Sequence, residues 1–371
     1  MRRIWRLPET EEQTQERPAR CPRCGSKRIY RHSRLRRRVI DPKVQAVQVI
    51  RFRCEDCRKL VRVHPAGVVP QQQQSRRLQV LSALCYALGL SYDKANLLLE
   101  MLGCGVVKST IWRNVQELGE AVGKAWHPRG RRPVLGADET ELKIKGEGIT
   151  VGFVTDPRSG QVVGLEVLAS REATELERWL GGLLERFGCE VVVTDELESY
   201  KGALDALGRE HQLCLAHWRK ALALRLKKIP GYREEKKLLR EALKQLDRPA
   251  LSAVRFLHRQ FAQAPPPKPG EHQTPAYALR MLTLDVIENW RRLTCYQRQV
   301  KGLDNLARPV ARDYQVPETN NATENSIGRA IKVRAKLMRG FKALPSALRS
   351  TLVVAGAGGV LAGLNFQRLL G

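Results

Sequence analysis

The spacing of apolar residues changes twice along this chain, and each change marks a different kind of structure. Near the start, Ile29–Tyr30 and the set Val47, Val49 and Phe52 form short alternating runs, which predict small strands. From Ser75 to about Gly123 the period becomes helical. Leu78, Leu81, Leu84, Cys85 and Leu88 share one face and Gly89 breaks the run. Ser91 is placed to cap a second helix carrying Ala95, Leu98 and Leu99. After Gly103 and Gly105, Ile111, Trp112, Val115 and Leu118 predict a third. Short helices separated by glycines suit a helix-turn-helix unit, and equally a plain helical linker.

Beyond the prolines at 128 and 133 the pattern turns to strands. Val134 to Asp138 reads as a short apolar strand ending in an acid. Ile149–Thr155 and Val162–Leu168 flank a turn at Asp156–Gly160, and Thr174–Phe187 is an amphipathic helix. Glu190–Asp195 is a buried strand, again ending in an acid. A helix over Tyr200–Leu207 and a strand over His211–Leu215 follow. The predicted order is β-β-β-α-β-α-β, an α/β core within a chain that is α+β overall. From Trp218 to about Pro317 the pattern is charged amphipathic helix, including Glu234–Leu246 and Tyr277–Arg292, with a proline-rich loop at Pro265–Pro275. A helical segment from Asn321 to Phe341 and an apolar helix over Thr351–Leu364 complete the chain.

These shifts divide the chain into a tail over 1–18, a cysteine-bearing segment over 19–66, and a helix-turn-helix-like region over 67–133. The first part of the α/β core spans 134–217, the helical insertion 218–317 and the final core helices 318–371. Charge narrows the partner. The net charge is +27, and residues 1–70 alone hold 19 Lys+Arg against 7 Asp+Glu. Such an excess calls for a polyanion, nucleic acid or an anionic membrane. No signal peptide and no membrane span is expected, because residues 1–20 lack an apolar run and Thr351–Leu364 is short and rich in Gly and Ala. The expectation is therefore a cytoplasmic, nucleoid-associated protein with DNA as its partner and no membrane.

Four of the nine cysteines form two pairs, Cys21-Pro-Arg-Cys24 and Cys54-Glu-Asp-Cys57, separated by 29 residues. Two such knuckles offer four thiolates to one closed tetrahedral zinc, a structural site that folds a small unit with little core of its own. Between them Arg34, Arg36, Arg37 and Arg38 form a cationic run suited to phosphates, or simply a solvated cluster.

Asp138 and Asp195 each end a predicted strand, a rigid place for a metal ligand. Paired acids there repel unless cations lie between them. Glu324 is a third candidate, on a segment where Asn325–Arg349 holds seven Lys+Arg and no acid. On a continuous helix Lys332 and Lys336 fall on its face and Arg329 lies nearby, all three open to phosphate contacts. Glu139 and Glu318 are rival ligands. Trp290, within the insertion, could stack on an unpaired base, although a core position is the commoner use of tryptophan.

The strand order, the long insertion, the segment Thr319–Asn320–Asn321…Glu324 and the run Thr194–Asp195…Tyr200 together resemble the bacterial insertion-sequence DDE transposases, whose core is ribonuclease H-like. Cys214-Leu-Ala-His217 is similar to the Cys-x-x-His that follows the second acid in the Mutator-like branch. The likeness covers roughly 134–371, and zinc-ribbon and helix-turn-helix front ends also occur in that family. Two features depart from it: Glu196 and Glu198 follow the second acid, and Asn320 stands where one large branch has arginine. The resemblance implies catalysis by Asp138, Asp195 and Glu324 with two magnesium (or manganese) ions, structural zinc, and an oligomer that synapses DNA ends for cleavage and joining. It leaves the roles of Cys214 and His217 open. Two alternatives are a ribonuclease H-like nuclease without strand transfer and a domesticated regulator that only binds DNA.

Overall fold

The computed structural model describes residues 5–14, 16–297, 315–332, 334–335 and 340–370. The chain separates into two compact units. The first comprises Met1–Pro128, Leu142–Gly148 and Arg329–Gly371; the second comprises Arg129–Glu141 and Ile149–Gly328.

In the first unit, β1 (Ile29–Arg38), β2 (Ala46–Cys54) and β3 (Leu60–Val63) form an antiparallel sheet in the order β1-β2-β3. Its core is small: Ile29, Ile50 and Phe52 gather around Cys21 and Cys54. The segment Pro8–Thr14, expected as part of a tail, lies along this ribbon. The amide of Glu11 donates to Ala66 O (3.0 Å) and the amide of Gln48 to Glu12 O (2.6 Å). Buried Asp41 joins the ribbon to the helices. It accepts from the hydroxyls of Thr10 and Ser75 and pairs with Arg77 at 2.8 Å. Burial pushes its carboxyl up, but these donors and two backbone amides outweigh that and hold it below its ordinary value.

Three helices follow: α1 (Arg76–Ala87), α2 (Tyr92–Met101) and α3 (Lys108–Ala125). Ser75 and Ser91 cap the first two with their side chains, as the sequence predicts for Ser91. Helix α3 packs on α12 (Leu344–Ala357), where Gln116 donates to Ser350 Oγ at 3.2 Å. The apolar run Thr351–Leu364 is therefore not one helix. Its first half belongs to α12, which ends at Gly358, and α13 (Phe366–Leu370) begins beyond it. No helix among the described residues is long and apolar enough to cross a membrane.

The second unit is built on a five-stranded sheet in the order β6-β5-β4-β7-β8. Its strands are β4 (Val134–Ile144), β5 (Glu147–Asp156), β6 (Gln161–Val167), β7 (Val191–Thr194) and β8 (Glu210–Leu213). Strand β7 runs parallel to β4 and to β8, whereas β5 and β6 are an antiparallel hairpin. Helix α4 (Ala173–Phe187) buries Leu176, Trp179, Leu180, Leu184 and Phe187, and α5 (Glu198–Ala206) buries Tyr200, Ala203 and Leu204. The expected order β-β-β-α-β-α-β is the observed one.

One strand differs from its expected extent. Strand β4 does not stop at Asp138 but continues to Ile144 and turns into β5 through Lys145 and Gly146, both at positive φ. The reason is a second alternating stretch, Leu142 and Ile144 buried against Glu141 and Lys143 exposed.

The insertion contains α6 (Leu215–Lys228), α7 (Arg233–Gln245), α8 (Arg248–Gln260), α9 (Pro275–Glu288) and short α10 (Trp290–Leu293). They enclose their own apolar core around Leu222, Leu239, Leu243, Val254 and Val286. Trp290 is partly buried against that core, the commoner of the two uses expected for it.

Helix α11 (Asn321–Ile327) is shorter than the predicted helix and passes into a π-helical turn at Gly328–Lys332. The α-helical spacing that put Lys332 and Lys336 on the face of Glu324 does not hold past Ile327. Lys336 and the side chain of Arg329 lie outside the described residues; Lys332 is half-buried. Arg334, from the same basic run, is turned inward. It donates to Leu90 O (2.6 Å) and sits 4.1 Å over the Tyr86 ring.

Candidate active site and zinc centre

The four cysteines of the first unit converge. Cys21 Sγ lies 3.7 Å from Cys57 Sγ, Cys24 Sγ lies 3.5 Å from Cys54 Sγ, and all four ligand atoms lie within 4.8 Å of one another. A tetrahedron of thiolates at about 2.3 Å from zinc has sulfurs about 3.8 Å apart, so the site fits that ion. The backbone amides of Cys24 and Arg23 point at Cys21 Sγ and push its thiol down to about 7, preparing a thiolate.

The arginine run on β1 divides by the two-residue period of a strand. Arg34, Arg36 and Arg38 are exposed. Arg37 faces the other way and is half-buried. It donates to the carbonyls of Val69 and Gln72 and lies beside His64. Of the four arginines singled out, it is the one already committed to holding the ribbon.

In the second unit, the parallel register of β4 and β7 pairs Val134 with Val191, Leu135 with Val192 and Gly136 with Val193. Asp138 lies two residues past the last of these pairs, Asp195 directly follows the end of β7 at Thr194, and the charges of both reach Glu139 and Tyr200. Neighbouring strands lie about 4.8 Å apart, and register partners on parallel strands project to the same face. Each acid also organises its own backbone. Asp138 Oδ1 accepts from the amide of Glu139 (2.8 Å), and Asp195 Oδ1 accepts from that of Leu197 (3.1 Å) at the start of α5.

Glu324 sits on α11, whose first turn rests on β4. Asn320 Nδ2 donates to Ala137 O at 2.8 Å, one residue before Asp138. Thr323 Oγ1 meets Thr155 Oγ1 at 2.6 Å. Only a glycine at 136 leaves room for this. A Cβ there would lie 2.2 Å from Thr323 Oγ1 and 2.6 Å from Asn320 Oδ1.

Glu324 is closest to a different pair. Its Oε1 is 3.4 Å from His217 Nδ1, and Cys214, His217 and Glu324 offer ligand atoms within 4.8 Å of one another. Among the described residues, Asp138 and Asp195 do not join Glu324 in a group that tight.

Two neighbours complete the electrostatics. Glu139 is largely buried, and desolvation, aided by the charges of Asp195 and Asp138, pushes its carboxyl above the ordinary range. The fully buried Tyr200 hydroxyl is pushed up for the same reason. Glu318, the other rival ligand, is exposed. His211, the nearest histidine in sequence to the Cys-x-x-His pair, is engaged elsewhere. Its Nε2 lies 2.9 Å from Thr194 Oγ1, and burial, with Arg292 and Lys201 nearby, pushes it down to about 3.

A central parallel pair flanked by an antiparallel hairpin is the sheet that the resemblance to the ribonuclease H-like transposases predicts. Within that class the chain is assigned more narrowly. The model of the Transposase IS66 family matches residues 78–347, from α1 into α12, and the chain belongs to this family. The chain is also similar to a solved structure of the catalytic core domain of BIV integrase, with 14% identity over 42% of this chain and 83% of that one at a TM-score of 0.19. A superposition that loose carries no weight here. No curated protein matches the chain.

Proposed function

We propose that this transposase cleaves the ends of its own element and joins them to target DNA, using Asp138, Asp195 and Glu324 as the carboxylates of a two-metal site. The observation that supports this reading is the parallel pairing of β4 with β7, which lead to Asp138 and Asp195, together with a helix bearing a third acid whose cap, Asn320, is pinned to Ala137 O one residue ahead of Asp138. Hard carboxylate oxygens suit magnesium or manganese. When bound, two such ions activate water or a DNA 3′-hydroxyl and stabilise the oxygen that leaves phosphorus. The protein's part is to hold two carboxylates on the backbone of the central parallel strands and to deliver the third on α11. DNA is held from outside this site, with Arg34, Arg36 and Arg38 of the ribbon contacting phosphates. A homo-oligomer bringing two ends together accompanies this activity.

The test is Asp195→Asn, which removes a negative ligand and keeps size and shape. Magnesium-dependent cleavage of a duplex carrying the element's ends falls by several orders of magnitude, while DNA affinity at fixed salt is retained. Parental cleavage by this variant would sink the reading. Tight binding without any cleavage by the parent protein, on its own ends with magnesium, would point instead to a DNA-binding regulator. Cleavage without joining would point to a nuclease.

A further inference from the structure

The Cys-x-x-His motif is left without a task by the proposed chemistry, yet its two residues touch the segments that carry Asp195 and Glu324 and reach that of Asp138 through Asn320. Cys214 caps α6 at the end of β8, and its amide donates to Thr194 O at 2.8 Å, next to Asp195. Its buried Sγ accepts the backbone amide of Asn320 at 3.3 Å, and the side chain of the same Asn320 donates to Ala137 O, next to Asp138. Leu215 N–H donates to Glu318 O at 2.9 Å, which fastens the approach to α11 a second time. One turn further along α6, His217 Nδ1 faces Glu324 Oε1 at 3.4 Å, and neither atom has a hydrogen-bond partner among the described residues.

We infer that Cys214 and His217 are positioning residues for the third carboxylate: Cys214 clips the start of α11 between the two aspartate-bearing strands, and His217 orients the carboxylate of Glu324. The physical need is plain. Asp138 and Asp195 are fixed by adjacent strands, whereas Glu324 is separated from Asp195 by 128 residues and a whole helical insertion. A seven-residue helix has little stiffness of its own. An acid so delivered needs a partner outside its own helix to hold one rotamer, because partners that orient a metal ligand are worth about 10–100-fold in metal affinity or activity. The spacing also suits the task. Cys at the cap and His three residues later lie on the same side of the first turn of α6, so one helix start reaches both ends of the clip. The donor set could itself chelate a softer ion, but only three ligands are present among the described residues, fewer than a closed structural site takes.

This inference rests on the reading of Glu324 as a metal ligand, and the test separates the two. Full-length His217→Ala, His217→Gln, Cys214→Ala and Glu324→Gln proteins are compared with the parent. The measurements are single-turnover cleavage against magnesium concentration, DNA affinity, thermal midpoint and bound zinc. His217→Ala is expected to raise the half-saturating magnesium concentration about 10- to 100-fold, with DNA affinity and thermal midpoint unchanged. His217→Gln, which keeps a donor, recovers part of that loss. Cys214→Ala shifts magnesium dependence in the same direction. Parental magnesium dependence in His217→Ala, beside an inactive Glu324→Gln, would overturn the inference alone. An active Glu324→Gln would overturn the reading of the site and the inference with it. Zinc beyond the ribbon's single equivalent, lost in Cys214→Ala, would also overturn the inference, since the cluster would then be a metal centre.

Discussion

Replacing Gly136 with alanine probes the seat of α11 directly. The new Cβ would lie 2.2 Å from Thr323 Oγ1, 2.6 Å from Asn320 Oδ1 and 3.2 Å from Thr155 Oγ1, where ordinary contact begins at 3.4 Å. The first two atoms must therefore retreat by about 1.2 and 0.8 Å, and both belong to the first turn of α11 or its cap. Neither the 2.6 Å Thr155–Thr323 bond nor the 2.8 Å Asn320–Ala137 bond survives such a shift. Overpacking typically costs about 1–3 kcal/mol, and each of the two lost hydrogen bonds about 1 kcal/mol, so roughly 3–5 kcal/mol of local stability is at stake. A displacement near 1 Å at a reacting centre costs about 10²-fold in rate. The assay is single-turnover end cleavage beside urea denaturation. The decisive companion is Gly136→Ala combined with Thr323→Ala, which removes the atom struck first and should recover part of both losses. A Gly136→Ala protein that cleaves and unfolds like its parent would refute the argument that α11 is seated on the backbone of β4.

Replacing Cys21 and Cys24 with serine should release about one zinc per chain and weaken DNA binding, leaving the sheet of the second unit folded by circular dichroism; full zinc retention would contradict the assignment. Removing Arg34, Arg36 and Arg38 together should lower the slope of log K against log salt by up to about 2.7, at about 0.9 per phosphate contact. Arg37→Ala should instead destabilise the ribbon and change that slope little; an equal drop from Arg37→Ala alone would reverse these roles. His211 supplies a pH signature. Its folded value is about 3 against an ordinary 6.5, so both states are neutral above 6.5, and below it only the unfolded chain takes the proton. Stability contributed by the neutral imidazole is thus present above pH 6.5 and lost as pH falls toward 3, with a slope of at most about 1.4 kcal/mol per pH unit. His211→Gln should flatten that slope, as read by urea midpoints between pH 6 and pH 4; an unchanged slope would place the acid sensitivity elsewhere.

Much of the second unit is legible in the sequence because its strands are short apolar runs bounded by turns. Asp195 is visible as the acid that closes one. Asp138 is visible too, though the strand's continuation is masked by the acids at 138, 139 and 141, which hide the Leu142–Ile144 alternation. The arginine run is legible as charge but not as geometry, since only the strand's facing separates Arg37 from its neighbours. Most hidden is the pairing of His217 with Glu324, because nothing local in either segment reports a partner across the insertion. The change to π-helical winding at Gly328 leaves no mark in residue spacing. Every residue there is compatible with an ordinary helix, and the surrounding structure decides.

The position of Glu324 late in the chain also sets an order of events during synthesis. At about 5–20 residues per second, the ribosome needs roughly 13–53 s to travel from Cys57, the last thiolate of the ribbon, to Glu324. Throughout that interval a nascent chain can close its zinc ribbon and present Arg34, Arg36 and Arg38 to nearby DNA, while the third acid has not yet been made. On the reading proposed for the three carboxylates, a transposase of this design grips before it can cut.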